Sequence, residues 1–171
     1  PPKVAPVQVV IIPIIKTEED LAEILKFLQP LLDGLEKNSV RFNLDDRLKI
    51  SPGFKFNEWE MKGVPIRVEV GPQDIKSGTV VTARRDTGEK TSYKMVSSAD
   101  IITTLLDEIQ KNMFSLAKKF RDKNTFSAES YKELKSLIEK GGFVRCGWDG
   151  STESEAAIKK DTKATIRFIL S

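Results

Sequence analysis

Residues 7–15, VQVVIIPII, are apolar at almost every position, and this run decides most of what the chain can become. A strand with one face in water alternates apolar and polar residues, whereas an unbroken β-branched run belongs to a strand covered on both faces. Directly behind it, residues 17–37 place Thr17 as an N-cap, acids in the first turn, and Leu21, Ile24, Leu28, Leu31 and Leu35 at helical spacing. Pro30 is expected to kink or split that helix near its C-terminal third. SVRFNLD then reads as a second short strand, which a right-handed crossover sets parallel to the first. The opening is therefore β-α-β, and the class is α/β.

Further along, PIRVEV (65–70) and TVVTARR (79–85) alternate as strands do, and the chain turns at Asp86, Thr87 and Gly88 into KTSYKMV, a β-hairpin. A long helix follows, with Ser98 expected as its cap and Ile102, Leu105, Leu106, Ile109, Met113 and Phe120 among the residues on one face. The polar RDKNTFSAES separates it from a shorter helix that carries Tyr131, Leu134 and Ile138 and stops at Gly141-Gly142. A domain boundary is placed inside the long helix, giving domains 1–107 and 108–171. The second is expected to be a small α+β unit: a strand at FVRCG, a polar loop, a short helix at AAIKKDTK and a last strand, ATIRFIL.

Composition removes several kinds of chemistry. The 171 residues include no histidine and one cysteine, Cys146, which excludes Ser-His-Asp and Cys-His nucleophiles, histidine metal sites and an intramolecular disulfide. Structural zinc takes four Cys or His ligands, so Cys146 is expected to be a buried thiol. Gly141-Gly142 and GWDG match no phosphate-binding loop. No apolar run approaches the roughly 18 residues of a membrane span, and the chain opens on Pro without a cationic leader, so a cytoplasmic location is expected. A net charge of +3 permits nucleic-acid binding without demanding it. The cations Lys118, Lys119, Arg121 and Lys123 sit where a helix C-terminus favours them in any case.

SPGFKFNEWEMKGVPIRVEVGP, residues 51–72, is different in kind. Ser51 caps a short helix with Pro52 at its first position, and on that helix Phe56 and Glu60 share a face, with Arg67 arriving on the next strand. An aromatic plane, a carboxylate and a guanidinium are what an unstacked RNA base requires, because it exposes both face and edge. The plainer reading makes Trp59 and Phe54 core, and Glu58, Glu60 and Glu69 solvated or ion-paired acids.

APVQVVIIPI, PGFKFNEWEMKGVPIRVEVGPQD and ARRDTGEK together resemble the anticodon-binding domain of prolyl-tRNA synthetases of the archaeal and eukaryotic-like type, over about residues 4–110. CGWDG and IKKDTKATIRFI are similar to that family's C-terminal zinc-binding domain. The resemblance implies a five-stranded mixed sheet flanked by three helices, reading the two guanines of the tRNA(Pro) anticodon. It assigns anticodon binding to Phe56, Glu60, Arg67 and Lys90, and it implies no catalytic residue here. ATP and Mg belong to a catalytic domain that this chain would lack, as would dimerisation, so the piece by itself is expected to be a non-catalytic monomer. Zinc is not expected, since Cys146 stands alone and Ser151 and Thr152 follow it; packing is expected to hold that loop. The alternative is a protein-interaction or dimerisation module of α/β fold that binds no RNA.

Overall fold

In the computed structural model, which describes residues 1–15 and 17–169, the apolar run forms strand β1 (Val9–Pro13), buried at every position. Helix α1 (Glu18–Lys37) opens on a reciprocal cap: the Asp20 amide donates to the Thr17 hydroxyl, and the Thr17 amide donates to the Asp20 carboxylate. Two N–H groups without a helical partner are satisfied in this way. The helix runs past Pro30 without the expected split. Pro30 and Lys26, whose carbonyl loses its helical partner, are both exposed, so the missing bond falls on the solvent side of the helix.

Strand β2 (Phe42–Leu44), helix α2 (Pro52–Met61) and strand β3 (Ile66–Val70) follow. Ser51 caps α2 by accepting from the Phe54 amide. A six-residue helix, α3 (Pro72–Ser77), ends on Gly78 in the left-handed region. Strands β4 (Thr79–Arg84) and β5 (Lys90–Lys94) form the expected hairpin, closed by the Gly88 amide donating to the Arg84 carbonyl at 2.9 Å. Helix α4 (Met95–Lys123) begins earlier than expected. Ser98 is therefore not its cap: the buried hydroxyl donates back to the Met95 carbonyl at 2.7 Å.

The five strands form one mixed sheet in the order β2-β1-β3-β4-β5, parallel across β2, β1 and β3 and antiparallel from β3 to β5. Alternation along the strands gives two faces. Val9, Ile11, Ile66, Val68, Val70 and Val80 meet the apolar stripes of α1 and α4 in the main core. There the helices approach so closely that a Cβ on Gly34 would lie 2.5 Å from that of Ala99. On the opposite face Val10 and Ile12 join Val64, with Phe56 and Trp59 of α2 packed against them. The sheet is thus flanked by three longer helices, as expected, with α3 as a short addition.

The chain divides into two compact units, Pro1–Phe114 and a second beginning at Ser115. In the second, β6 (Thr125–Ser127) pairs in parallel with β7 (Phe143–Arg145), and α5 (Tyr131–Lys140) and α6 (Thr152–Thr162) carry serine caps at Ser130 and Ser151. Residues 164–169 form no strand, and Leu170 of the expected closing strand lies outside the described residues. Cys146 is exposed, against expectation. The only buried hydrophobic residues of this unit among those described are Ala128 and Leu134, a core too small to cover the thiol. Nor does packing hold the following loop: Asp149 accepts from the Ser151 amide, the Ser151 hydroxyl and the Ser154 hydroxyl at 2.6–2.9 Å, and Trp148 Nε1 donates to Ser154.

Candidate nucleic-acid interface

Helix α2 is fixed by polar groups. Asp45, 3% exposed just after β2, accepts from Trp59 Nε1 at 2.7 Å and from Arg47 Nε and Nη2 at 2.8 and 2.6 Å. Lys55 of α2, only 1% exposed, donates its ammonium to the Asp45 carbonyl at 3.0 Å and stands 3.7 Å from the carboxylate. Burial alone would raise the Asp45 pKa, but hydrogen bonds from Arg47 and Trp59 and the charge of Lys55 outweigh it and hold the carboxyl well below the usual range. On the outer side Glu58 accepts from Lys62 and Arg47, both of which lower its pKa. Trp59 is thus a core anchor, whereas Phe54 stays 59% exposed. A buried Lys55 has no signal in the sequence.

With α2 held this way, the strands supply the rest. Val10, Arg67, Ala83 and Lys90 stand side by side across β1, β3, β4 and β5. The small Ala83 between the two cations leaves a gap. One step along β3 on the same face, the buried Glu69 accepts from Arg67 Nε at 2.9 Å and from Lys90 Nζ at 3.1 Å. It is ion-paired rather than solvated, and it ties together two cations that sequence alone cannot connect. The Arg67 guanidinium lies 4.2 Å from the centre of the Phe56 ring, and Lys90 Nζ lies 5.5 Å from it. Cationic groups at that range are attracted by the ring's negative face.

The gap is a cavity of about 150 Å³ walled by Glu60, Arg67, Lys90, Trp59, Ala83 and Arg85, among others. Three of the four residues singled out in the sequence therefore line it, and the fourth, Phe56, backs Arg67. Glu60 is exposed, and its carboxylate has no hydrogen bond or ion pair among the described residues; its carbonyl accepts from Arg85 Nε at 3.0 Å. Arg85 is the residue that the sequence pattern did not bring forward. The signal was present in the alternation of ARRD: Arg84 turns to the main-core side and pairs with Asp86 and Glu108, so Arg85 must turn to the other.

A pocket for a whole small-molecule ligand spans roughly 300–1,000 Å³. This one suits a single planar ring, with an open carboxylate, guanidinium groups and an aromatic plane around it. Among the described residues no three His, Cys, Asp or Glu converge as a metal would need, and no helix is long and apolar enough to cross a membrane.

Comparison with known proteins points the same way. Residues 8–108 match the family described as Anticodon binding domain, and residues 131–171 match the one described as Prolyl-tRNA synthetase, C-terminal. The chain is 49% identical over 170 residues to the proline–tRNA ligase of Cytophaga hutchinsonii and 46% identical over 170 residues to that of Rubrobacter xylanophilus. These matches cover 99% of the chain but only 35–36% of the two ligases, so the chain spans about a third of their length. Among solved structures it is similar to the prolyl-tRNA synthetase of Cryptosporidium parvum, crystallised with L-proline and AMP, with a TM-score of 0.85 and 36% identity over 95% of this chain and 35% of that one.

Proposed function

Since the chain belongs to the anticodon-binding domain family, in the form carried by proline–tRNA ligases, we propose that it binds tRNA(Pro) and that the α2 side of its sheet holds the anticodon. The observation that carries this reading is the unpartnered Glu60 carboxylate at a ring-sized cavity walled by Arg67 and Lys90. A guanine presents N–H donors on its Watson–Crick edge, which suit Glu60, and O6 and N7 acceptors, which suit cations. The stacked pair of Phe56 and Arg67 supplies a flat surface for the ring. Joining proline to the tRNA, with ATP and Mg²⁺, belongs in this reading to the two-thirds of the ligases that the chain does not span, and the setting is cytoplasmic.

The test is a titration of the 171-residue chain with anticodon stem-loops that carry or lack the two guanines. A preference of about tenfold or more per guanine is expected, since a bidentate base contact is worth ~1–3 kcal/mol, and Glu60→Gln should remove much of it while leaving the urea midpoint in place. Equal affinity for all stem-loops sinks the proposal.

A further inference from the structure

We propose that Arg85 reads the acceptor edge, O6 and N7, of the guanine whose donor edge faces Glu60. The inference rests on the anticodon-binding reading above and names the group that gives it purine specificity.

The cations first singled out are largely engaged within the protein. Arg67 directs Nε and Nη2 at Glu69, both at 2.9 Å, and lays its face on Phe56. Lys90 contacts both Glu69 oxygens, at 2.9 and 3.1 Å. Arg85 is arranged differently. Its main-chain amide donates to the Pro65 carbonyl at 3.0 Å, which continues the β3–β4 pairing and fixes the Cα. Its Nε donates to the Glu60 carbonyl at 3.0 Å, which fixes one corner of the guanidinium. The two terminal amino groups have no partner among the described residues, and no carboxylate neutralises them.

A guanidinium held at Nε with its terminal donors free is pre-organised for bidentate contact, and little side-chain entropy remains to be lost on binding. Its anchor is the backbone of Glu60 itself. The free donor pair and the free carboxylate therefore belong to two residues that line the same cavity. Among the bases, only guanine offers N–H donors on one edge and two acceptors, O6 and N7, on the next; adenine puts an amino group where O6 would be, and pyrimidines have no N7. Glu60 and Arg85 together thus select guanine at this position.

The experiment is a double-mutant cycle on the 171-residue chain. Wild type, Arg85→Ala and Arg85→Lys are titrated with stem-loops in which each anticodon guanine is replaced in turn by 7-deazaguanine, which lacks N7, or by 6-thioguanine, which keeps the N–H donors but carries a weakly accepting sulfur in place of O6. Wild type should lose about tenfold at one position for each analogue, and Arg85→Ala should bind the guanine stem-loop about tenfold more weakly with no further loss on the analogues. Arg85→Lys, which keeps the charge but not the fork, should behave like Arg85→Ala toward the analogues, and it decides the matter should the alanine variant lose its urea transition. If the wild type discriminates guanine but its penalty for the analogues persists undiminished in the variants, Arg85 contacts phosphate or nothing, and this inference alone is overturned. The same follows if wild type shows no penalty for either analogue. Indifference of wild type to replacing the guanines altogether overturns the anticodon reading itself.

Discussion

The two faces of the sheet are held by different chemistry. Toward α1 and α4 the packing is aliphatic and continuous, from Val9, Ile11 and Val68 to Leu28, Leu35 and Ile102. Toward α2 the buried apolar cluster among the described residues is no larger than Val10, Ile12 and Val64, and the ten-residue helix is tied down by Asp45, Lys55, Arg47 and Trp59. Three aliphatic side chains at roughly 1.5–3 kcal/mol each, with Phe56 and Trp59 only partly buried beside them, gain little over the backbone entropy of ordering such a helix, and the polar anchor adds to that margin. The contrast shows how a small domain can keep charged groups open for a ligand. Cohesion resides on one face, and the other is fastened through Asp45, Lys55 and Arg47, none of which lines the cavity, with Glu60 and Arg85 left exposed.

The change that should break this contrast most severely is Asp45→Asn, which keeps the shape but removes the charge opposite the buried Lys55. Uncompensating one member of a buried pair costs about 3–5 kcal/mol, and the loss should fall first on α2. A pH titration tests the same point. Burial pushes the Asp45 carboxyl up, but the hydrogen bonds and cations around it leave it lowered in the fold, so the ionised form favours the folded state. That contribution is complete above the unfolded carboxyl value near ~3.9 and is lost as pH falls through the lower folded value. Glu58, also lowered, acts in the same direction but is partly exposed and screened by salt. On acidification below about pH 4, the Trp59 indole N–H resonance should move before the far-UV signal of the main core does. Coincident transitions would mean that both faces are held alike.

On the first face the expected losses are smaller and fall on stability alone. Ile102→Ala, at a fully buried position, should cost about 2–5 kcal/mol by the urea midpoint and leave guanine preference unchanged in the folded molecules. Gly34→Ala sharpens the point, because it would add ~1 kcal/mol in an open helix. Here the new methyl would meet the Ala99 methyl at 2.5 Å, and overpacking should turn the change into a loss of about 1–3 kcal/mol. Higher stability in this variant would show slack between α1 and α4.

The parts that rest on the main core were legible in the sequence, because periodicity reports burial directly: the apolar β1, the stripe of α1, the hairpin and the stripe of α4 from Ile102 to Met113 stand where alternation and helical spacing put them, whereas Phe120 of that stripe is exposed. What escaped depends on partners distant in sequence. Glu69 holds Lys90 only because β3, β4 and β5 align Arg67, Ala83 and Lys90 in one row, and no local pattern encodes that register. Lys55 is buried because Asp45, ten positions earlier, waits for it. In the second unit the reading of Cys146 as buried assumed a core that so small a unit does not build. At the site, spacing alone brought out Phe56, Glu60 and Arg67, and missed the arginine whose donors remain free.

The smallest expected effect concerns the junction between cohesion and recognition. Glu69→Gln retains the shape of a buried side chain and one acceptor for Arg67, so its cost should be about 1 kcal/mol. An amide, however, cannot neutralise Arg67 and Lys90 together. Released from the acid, Lys90 becomes available to phosphate, and binding to any RNA should strengthen with a steeper salt dependence, by about 0.7 in the log–log slope for each additional phosphate that the protein neutralises. Preference for guanine should move the other way, because a neutral acceptor holds the Arg67 plane on Phe56 less firmly than the acid does. Affinity rising as discrimination falls is the signature of a residue that orders the recognition face. A parallel loss of both would place Glu69 with the residues that merely hold the sheet together.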